Sequence, residues 1–148
     1  FWRETAVHWE GRVGLESLRQ LPRLAEWNRE NFELAKLYTI LESENLDEDD
    51  EAHGYFLEHR RRVRRHVQRA IEEGQRRGEI WPEIDAGVKA DEAVAFMDGA
   101  QMNAMLDPKV DIVAIFESYT DALVAQLAMK RSAATRAKRP VRTRRKSR

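Results

Sequence analysis

Apolar residues recur at three- and four-residue spacing along most of the chain, and glycine and proline are scarce among its 148 residues. This spacing places apolar side chains on one face of a helix, whereas a half-buried strand would show strict alternation. No stretch shows the alternation or the β-branched enrichment of a strand. The pattern therefore predicts an all-α fold, an antiparallel bundle of about six helices.

The first half of the chain is predicted to hold three helices. They cover about residues 1–13, 15–29 and 31–45, with Pro22 as a kink or restart in the second. The acidic stretch 47–51 follows as a solvent-facing linker, because it lacks the ligand alternation and central glycine of a calcium loop. The apolar positions expected to face inward are Trp2, Ala6, Trp9, Leu18, Leu21, Leu24, Ala25, Leu34, Leu37, Tyr38 and Leu41.

The longest helix is predicted at about 52–77, with Gly78 as a left-handed C-terminal cap. At 100° per residue its apolar side chains fall within about 60° of Phe56, which predicts a narrow buried stripe. His59 and Arg60 border this stripe and are placed to face the interior. The stripe contains Phe56, Val63, Val67, Ala70, Ile71 and Gly74, and the opposite, solvated side contains Arg61, Arg62, Arg65 and Arg69.

Two further helices are predicted at about 87–106 and from Pro108 to residue 129. Asp85 caps the first, and Asp107 caps the second with Pro108 in its first turn. Apolar residues spread over about half of each helix, more than the stripe of about 100° that covers a helix's own core. We therefore expect these helices to form a twofold four-helix bundle with a second copy of the chain. The expected interface residues are Ala93, Val94, Ala100, Ala104, Ile112, Ile115, Phe116, Tyr119 and Leu123.

Charge is distributed unevenly, although 26 basic and 26 acidic residues give a net charge of zero. Ten of the basic residues lie in 130–148, where no acidic residue occurs. Residues 1–129 thus carry 16 basic and 26 acidic side chains, a net charge of −10 and a poor surface for DNA. The tail 130–148 is either a solubilising extension or a non-specific, salt-sensitive contact to nucleic acid.

Several classes of function lack their required residues. The chain has no cysteine, no Gly-x-Ser-x-Gly motif and no glycine-rich phosphate loop, so we do not expect an enzyme. Its four histidines show no metal-binding spacing, and we predict neither a metal nor a cofactor. No apolar run approaches the length of a membrane span and no signal peptide is evident, which favours a soluble, cytoplasmic protein. The first residue is not methionine, and we expect a segment upstream of it.

The order and spacing of several short motifs carry a resemblance to a known family. Over about residues 15–127 the chain resembles the C-terminal domain of TetR-type transcriptional regulators. The residues that carry it are Leu37-Tyr38, Leu41-Glu42, Tyr55-Phe56, the segment Arg76-Arg77-Gly78-Glu79-Ile80, Ile84-Asp85, Ala90, Ala93, Asp98-Gly99 and Leu106-Asp107-Pro108.

The resemblance implies a homodimer whose N-terminal helix-turn-helix heads read operator DNA. In such proteins a small effector enters the C-terminal domain, shifts its first helix and releases the DNA, which implies a ligand-responsive repressor. Residues 1–129 would form the effector-binding and dimerisation domain, with 1–13 as the connecting helix and 87–129 as the dimerisation helices. The three head helices are not in this sequence, so we do not expect specific operator binding. The alternative is a helical dimerisation module that binds no ligand and contacts nucleic acid through its tail.

An effector site would combine apolar and aromatic side chains with a few polar groups. For any single candidate side chain, ordinary core packing is the simpler interpretation. A buried Arg60 would hold a carboxylate or phosphate of a mostly apolar or aromatic effector, unless it pairs with a neighbouring acidic residue. The candidates are Trp9, Trp27, Leu37, Tyr38, Leu41, Tyr55, His59, Arg60, Phe96, Met97, Gln101 and Met105.

Overall fold

The computed structural model describes residues 11–129, and within that range the chain is helical. Most of the predicted helix 1–13 therefore lies outside the described residues. Trp9 and the basic tail 130–148 lie wholly outside them. The all-α prediction is confirmed, since the described range contains no named strand and one isolated bridge, between Ile80 and Ala128. The helices are α1 (Gly14–Leu18), α2 (Leu21–Glu30), α3 (Phe32–Ser43), α4 (His53–Arg76), α5 (Ala86–Leu106) and α6 (Ile112–Leu127).

The core forms where α4 packs against α1 and α5, and where α2 packs against α6. The predicted stripe of α4 is confirmed, because Val67 and Ile71 are fully buried and Phe56 nearly so. Pro22 stands in the first turn of α2, where its missing N–H costs no helical hydrogen bond. Leu18 and Leu21, on either side of the break between α1 and α2, are also fully buried.

The end of α4 is fixed by a left-handed glycine, as predicted. Gly78 has φ +66°, and its N–H donates to the carbonyl of Gln75. The N–H of Glu79 donates to the carbonyl of Gly74, which completes a Schellman cap. The cap directs Ile80 onto α4, and the N–H of Trp81 then donates to the carbonyl of Leu127 at the end of α6.

Two expectations about the helices were wrong in detail. Leu34, Leu37 and Leu41 of α3 do not face inward, since they are 45%, 52% and 43% exposed, and α3 buries Ala35 instead. Likewise α6 begins at Ile112, with Asp111 rather than Asp107 as its cap. Asp107 accepts instead from the N–H of Lys109 in the preceding turn, because Pro108 starts a turn here and not a helix.

Among the described residues, no helix is both long enough and apolar enough to span a bilayer.

Candidate ligand-binding cavity

A cavity of about 190 Å³ lies where α2, α3, α4 and α5 approach one another. Its wall is mostly apolar, and charged and hydrogen-bonding side chains from α3, α4 and α5 meet at one part of it. We call it the inner cavity. It is lined by Leu24, Tyr38, Thr39, Glu42, Ser43, Leu46, His59, Arg60, Val63, Val94, Met97, Asp98, Gln101 and Met102.

Arg60 joins three helices through two ion pairs at the inner cavity. Its Nε donates to Glu42 Oε1 of α3 at 2.8 Å, and its Nη1 donates to Asp98 Oδ2 of α5 at 2.5 Å. Burial lowers the pKa of Arg60, but the two carboxylates outweigh burial and raise it overall. Of the two alternatives left by the sequence, the structure therefore shows the ion pair. The guanidinium is already engaged by two anions.

Asp98 faces opposing influences on its ionisation. Burial raises the pKa of this carboxyl, and the Arg60 charge and hydrogen bond lower it in part.

The lining of the inner cavity contains two carboxyl groups, those of Glu42 and Asp98, and one guanidinium, that of Arg60. This excess of acidic groups favours a cationic or neutral guest over an anionic one.

Tyr38 and His59 form the aromatic side of the inner cavity. Their ring centroids are 5.1 Å apart, and the Tyr38 ring meets that of Phe56 edge-on at 5.2 Å. Burial, followed by the charges of Arg62 and Arg60, lowers the pKa of His59 to about 4. Burial, followed by Glu42, raises the pKa of Tyr38. Both rings are therefore uncharged at neutral pH.

A chain of side-chain hydrogen bonds closes one end of the inner cavity. The Thr39 hydroxyl donates to the Ala35 carbonyl at 3.1 Å and accepts from Gln101 Nε2 at 2.9 Å. Asn28 Nδ2 in turn donates to Gln101 Oε1 at 3.0 Å. These bonds link α2, α3 and α5.

A second cavity, of about 460 Å³, lies beyond this chain of hydrogen bonds. We call it the outer cavity. Its lining comes from α2, α3, α5, the turn between α5 and α6, and the first residue of α6. The lining residues are Asn28, Arg29, Phe32, Ala35, Gln101, Ala104, Met105, Pro108, Lys109, Val110, Asp111 and Ile112.

The structure brings five of the proposed effector residues to the inner cavity, namely Tyr38, His59, Arg60, Met97 and Gln101. Met105 lies at the outer cavity, which Gln101 also lines.

The other described candidates do not line the inner cavity. On α3 the buried side carries Ala35, so Leu37 and Leu41 point to solvent. On α4 Tyr55 lies beside the buried stripe and is likewise exposed. Trp27 is half-buried outside it. Phe96 stacks instead on Tyr119 of α6, with ring centroids 3.7 Å apart.

Sequence reasoning missed Glu42 and Asp98, which complete the charged part of the lining. The available signal was Arg60 itself. An arginine at the edge of a buried stripe needs acidic partners on the facing helices, and acidic residues occur on both α3 and α5. Which of them face Arg60 depends on the rotation of α3 and α5, which the sequence alone does not determine.

The predicted dimer residues divide into two groups. Ala93, Ala100, Ile112, Phe116 and Leu123 are buried within their own chain, because those sides of α5 and α6 pack against the other helices. They are therefore not available to a partner. Val94, Ala104, Ile115 and Tyr119 are half-buried. The outward sides of α5 and α6 present other apolar or small residues, namely Val88, Ala95, Gly99, Leu106, Ser118 and Ala122.

Comparison with known proteins identifies one family. Residues 46–128, more than half of the chain, match the family of the BetI-type transcriptional repressor, C-terminal. The match covers α4, α5 and α6, which supply one side of the inner cavity and both proposed dimer helices. No curated protein and no solved structure matches the chain.

Proposed function

Because the chain belongs to the TetR family, through its BetI-type repressor C-terminal domain, we propose that it senses a small molecule and dimerises as part of a ligand-responsive transcriptional repressor. The family is one of transcriptional regulators and not of catalysts. Domains of this family typically dimerise, and the regulators that contain them bind DNA.

The inner cavity is the observation that carries the sensing role. It combines an apolar wall with convergent polar groups, the usual composition of a small-molecule site. A guest would contact α2, α3, α4 and α5 together, so binding would alter how these helices pack. Since α1 packs against α4, a shift of α4 would also reach the first described helix.

The charges of the inner cavity indicate the class of effector. Arg60 is engaged by Glu42 and Asp98, which argues against the anionic end expected from the sequence. A cationic head would instead meet these two carboxyl groups and the neighbouring Tyr38 ring, whose face attracts cations. We therefore propose a mostly apolar effector with a cationic head group.

Thermal unfolding with linear alkylamines would test this proposal. We expect hexylamine to raise the Tm of the chain by mass action and to have a much smaller effect on Asp98→Asn, which removes one carboxylate from the lining. Asp91→Asn is the matched control, because Asp91 also lies on α5 and pairs with an arginine of α4, Arg64, but does not line the inner cavity. Equal shifts in both variants, or none in the unmodified chain, would contradict the proposal.

The outward sides of α5 and α6 are the proposed dimer surface. Val88 and Leu106 are 52% and 77% exposed in the single chain, and Ala95, Gly99 and Ala122 are small enough to let helices approach closely. Two such helix pairs would form a four-helix bundle. This proposal keeps the two helices that the sequence predicted for the dimer, α5 and α6. It changes the side of each helix that faces the partner, from the buried side to the exposed side.

The basic composition of 130–148 supports a second candidate, a module that contacts nucleic acid through its tail. Ten positive charges without an acidic neighbour would bind duplex DNA irrespective of sequence, with an affinity that falls steeply as salt increases. Gel-shift titration of the chain against a chain ending at Met129 tests this role. Equal binding by both would exclude it.

A further inference from the structure

The inner and outer cavities share Gln101, which lines both of them. Their volumes are about 190 and 460 Å³, so the inner cavity alone takes only a small guest. The Gln101 side chain is a long, rotatable part of the boundary between them. The size of the molecule that fits therefore depends on where this one side chain lies.

The two cavities follow one another along the same three helices. On α2 the lining passes from Leu24 to Asn28, and on α3 it passes in the opposite chain direction, from Thr39 to Ala35. Both steps are four residues, about one helical turn. On α5 the lining likewise continues from Gln101 to Met105. The outer cavity thus continues the inner one along the bundle.

The hydrogen bonds at the boundary have a fixed direction. Because the Thr39 hydroxyl donates to Ala35, it accepts from the Gln101 amide nitrogen, and the Gln101 oxygen is left to accept from Asn28. Two bonds thus hold the Gln101 side chain in place. At the end of the chain of bonds, Asn28 Oδ1 is buried and has no hydrogen-bond partner within residues 11–129.

The two cavities differ in the sign of the charge on their lining residues. The inner cavity carries Glu42 and Asp98, whereas the wall of the outer cavity includes Phe32, Met105, Val110 and Ile112. The charged residues of the outer cavity are Arg29, Lys109 and Asp111, so its lining carries one net positive charge, whereas Glu42, Asp98 and Arg60 give the inner cavity one net negative charge. A cationic head thus suits the inner cavity, and the apolar part of the outer wall can contact an alkyl tail.

We propose that the two cavities are one elongated binding site with Gln101 as its internal gate, and that the site takes a linear cationic amphiphile. The ammonium head lies near Glu42 and Asp98, and the alkyl tail passes the displaced Gln101 side chain into the outer cavity. This inference rests on the proposed function, because it assigns the head group to the inner cavity.

Protection of single cysteines from maleimide tests the elongated site, because the chain contains no cysteine of its own. Val63→Cys is the inner reporter and Met105→Cys the outer reporter, and both positions are half-buried. The probes are butylamine and dodecylamine, the latter below its micelle concentration. We expect dodecylamine to slow the reaction at least about fivefold at both reporters, and butylamine to slow it only at the inner one.

Variants at Gln101 test the gate. Gln101→Phe is expected to fill the passage, so that dodecylamine protects the inner reporter but no longer the outer one. Gln101→Ala is expected to widen it, so that less dodecylamine gives half-protection of the outer reporter, and this variant also decides the matter if Gln101→Phe does not fold. Arg69→Cys, on the solvent-facing side of α4 and in the lining of neither cavity, is the control reporter, and its reaction rate should not change with either amine.

The outcomes separate this inference from the proposed function. Protection of the inner but not the outer reporter by dodecylamine, with Gln101 present, overturns the elongated site and leaves the inner cavity as the sensor. Protection of the outer reporter alone likewise overturns the inference, since the head would then not occupy the inner cavity. Protection of neither reporter contradicts the proposed effector class as well. A change at the control reporter equal to that at the cavity positions overturns the claim of specific binding.

Discussion

Gly74 lies where α4 and the chain that follows it pack closely together. A β-carbon placed there would lie 2.5 Å from Ile80 Cδ1 and 2.7 Å from Ile80 Cγ1, well inside van der Waals contact. Ile80 is fully buried and has little room to move. We expect Gly74→Ala to destabilise the fold by about 1–3 kcal/mol, because overpacking exceeds the gain in helix propensity.

Gly54 provides the matched control on the same helix. A β-carbon there would meet nothing within 4 Å, so Gly54→Ala should leave stability unchanged or raise it by up to about 1 kcal/mol. Urea denaturation of both variants measures the difference in the free energy of unfolding. Equal effects of the two substitutions would show that Ile80 does not restrict position 74.

His59 should make stability depend on pH. Its pKa is lowered from 6.5 to about 4 in the folded chain, mainly by burial, so between these values the unfolded chain binds more protons. Stability is then at its full value above pH 6.5 and declines as the pH falls towards 4. His59→Phe keeps a ring beside Tyr38 without titrating, and it should flatten this decline.

Urea midpoints measured across that pH range would test the role of His59. Some slope should remain in His59→Phe, because burial and then Arg69 also lower the pKa of His66. A decline as steep as that of the unmodified chain would assign the pH dependence to other groups.

At the scale of single helices, the start of α6 shows the limit of sequence signals. Asp107-Pro108 has the composition of a helix start, yet Asp111 makes the cap, since its Oδ1 accepts from the N–H groups of Val113 and Ala114. Both aspartates are compatible with a cap from local sequence alone. The choice depends on packing, because Ile112 must enter the core directly after the cap.

Replacement of each aspartate by alanine separates their roles. Asp111→Ala should cost about 1 kcal/mol, the usual contribution of an N-cap, because two N–H groups of α6 lose their acceptor. Asp107→Ala removes one bond in a turn and should cost less. Thermal unfolding of both variants measures this order, and a larger loss at Asp107 would restore it as the functional start of the helix.

Helices α3 and α4 differ in how well the periodicity of their apolar residues predicted their buried sides. The stripe of α4 was predictable because apolar and basic residues separate cleanly around that helix. In α3 a leucine stripe competes with the small residue Ala35, and the structure buries the alanine. Periodicity identifies an apolar stripe but not whether a neighbouring helix covers it. This is why Leu37 and Leu41 were wrongly assigned to the effector site.

At the scale of the whole molecule, the fold class was predictable and the assembly of the site was only partly so. His59 and Arg60 were singled out because they border the apolar stripe of α4, and Tyr38 because it was predicted to face inward from α3. These three do meet at one cavity. Asp98 and Glu42 were not assigned to it, since the pairing of charges between helices far apart in sequence depends on how the helices are rotated.

The dimer proposal makes the last prediction. Ala122 is exposed on α6, on the side proposed to meet the partner. Ala122→Arg would bring two long cationic side chains to a twofold seam and should shift the chain from dimer to monomer in sedimentation velocity. Its effect on the stability of the monomer should be small, because Ala122 is not part of the single-chain core.

Glu30→Arg, at the exposed end of α2, is the control and should remain dimeric. A dimer that tolerates arginine at position 122 would exclude this side of α6 from the seam. Because Ala93, Ala100 and Phe116 are committed to the core of their own chain, the contact would then have to be sought away from the buried sides of α5 and α6. The exposed leucine stripe of α3, formed by Leu34, Leu37 and Leu41, would be the next surface to test.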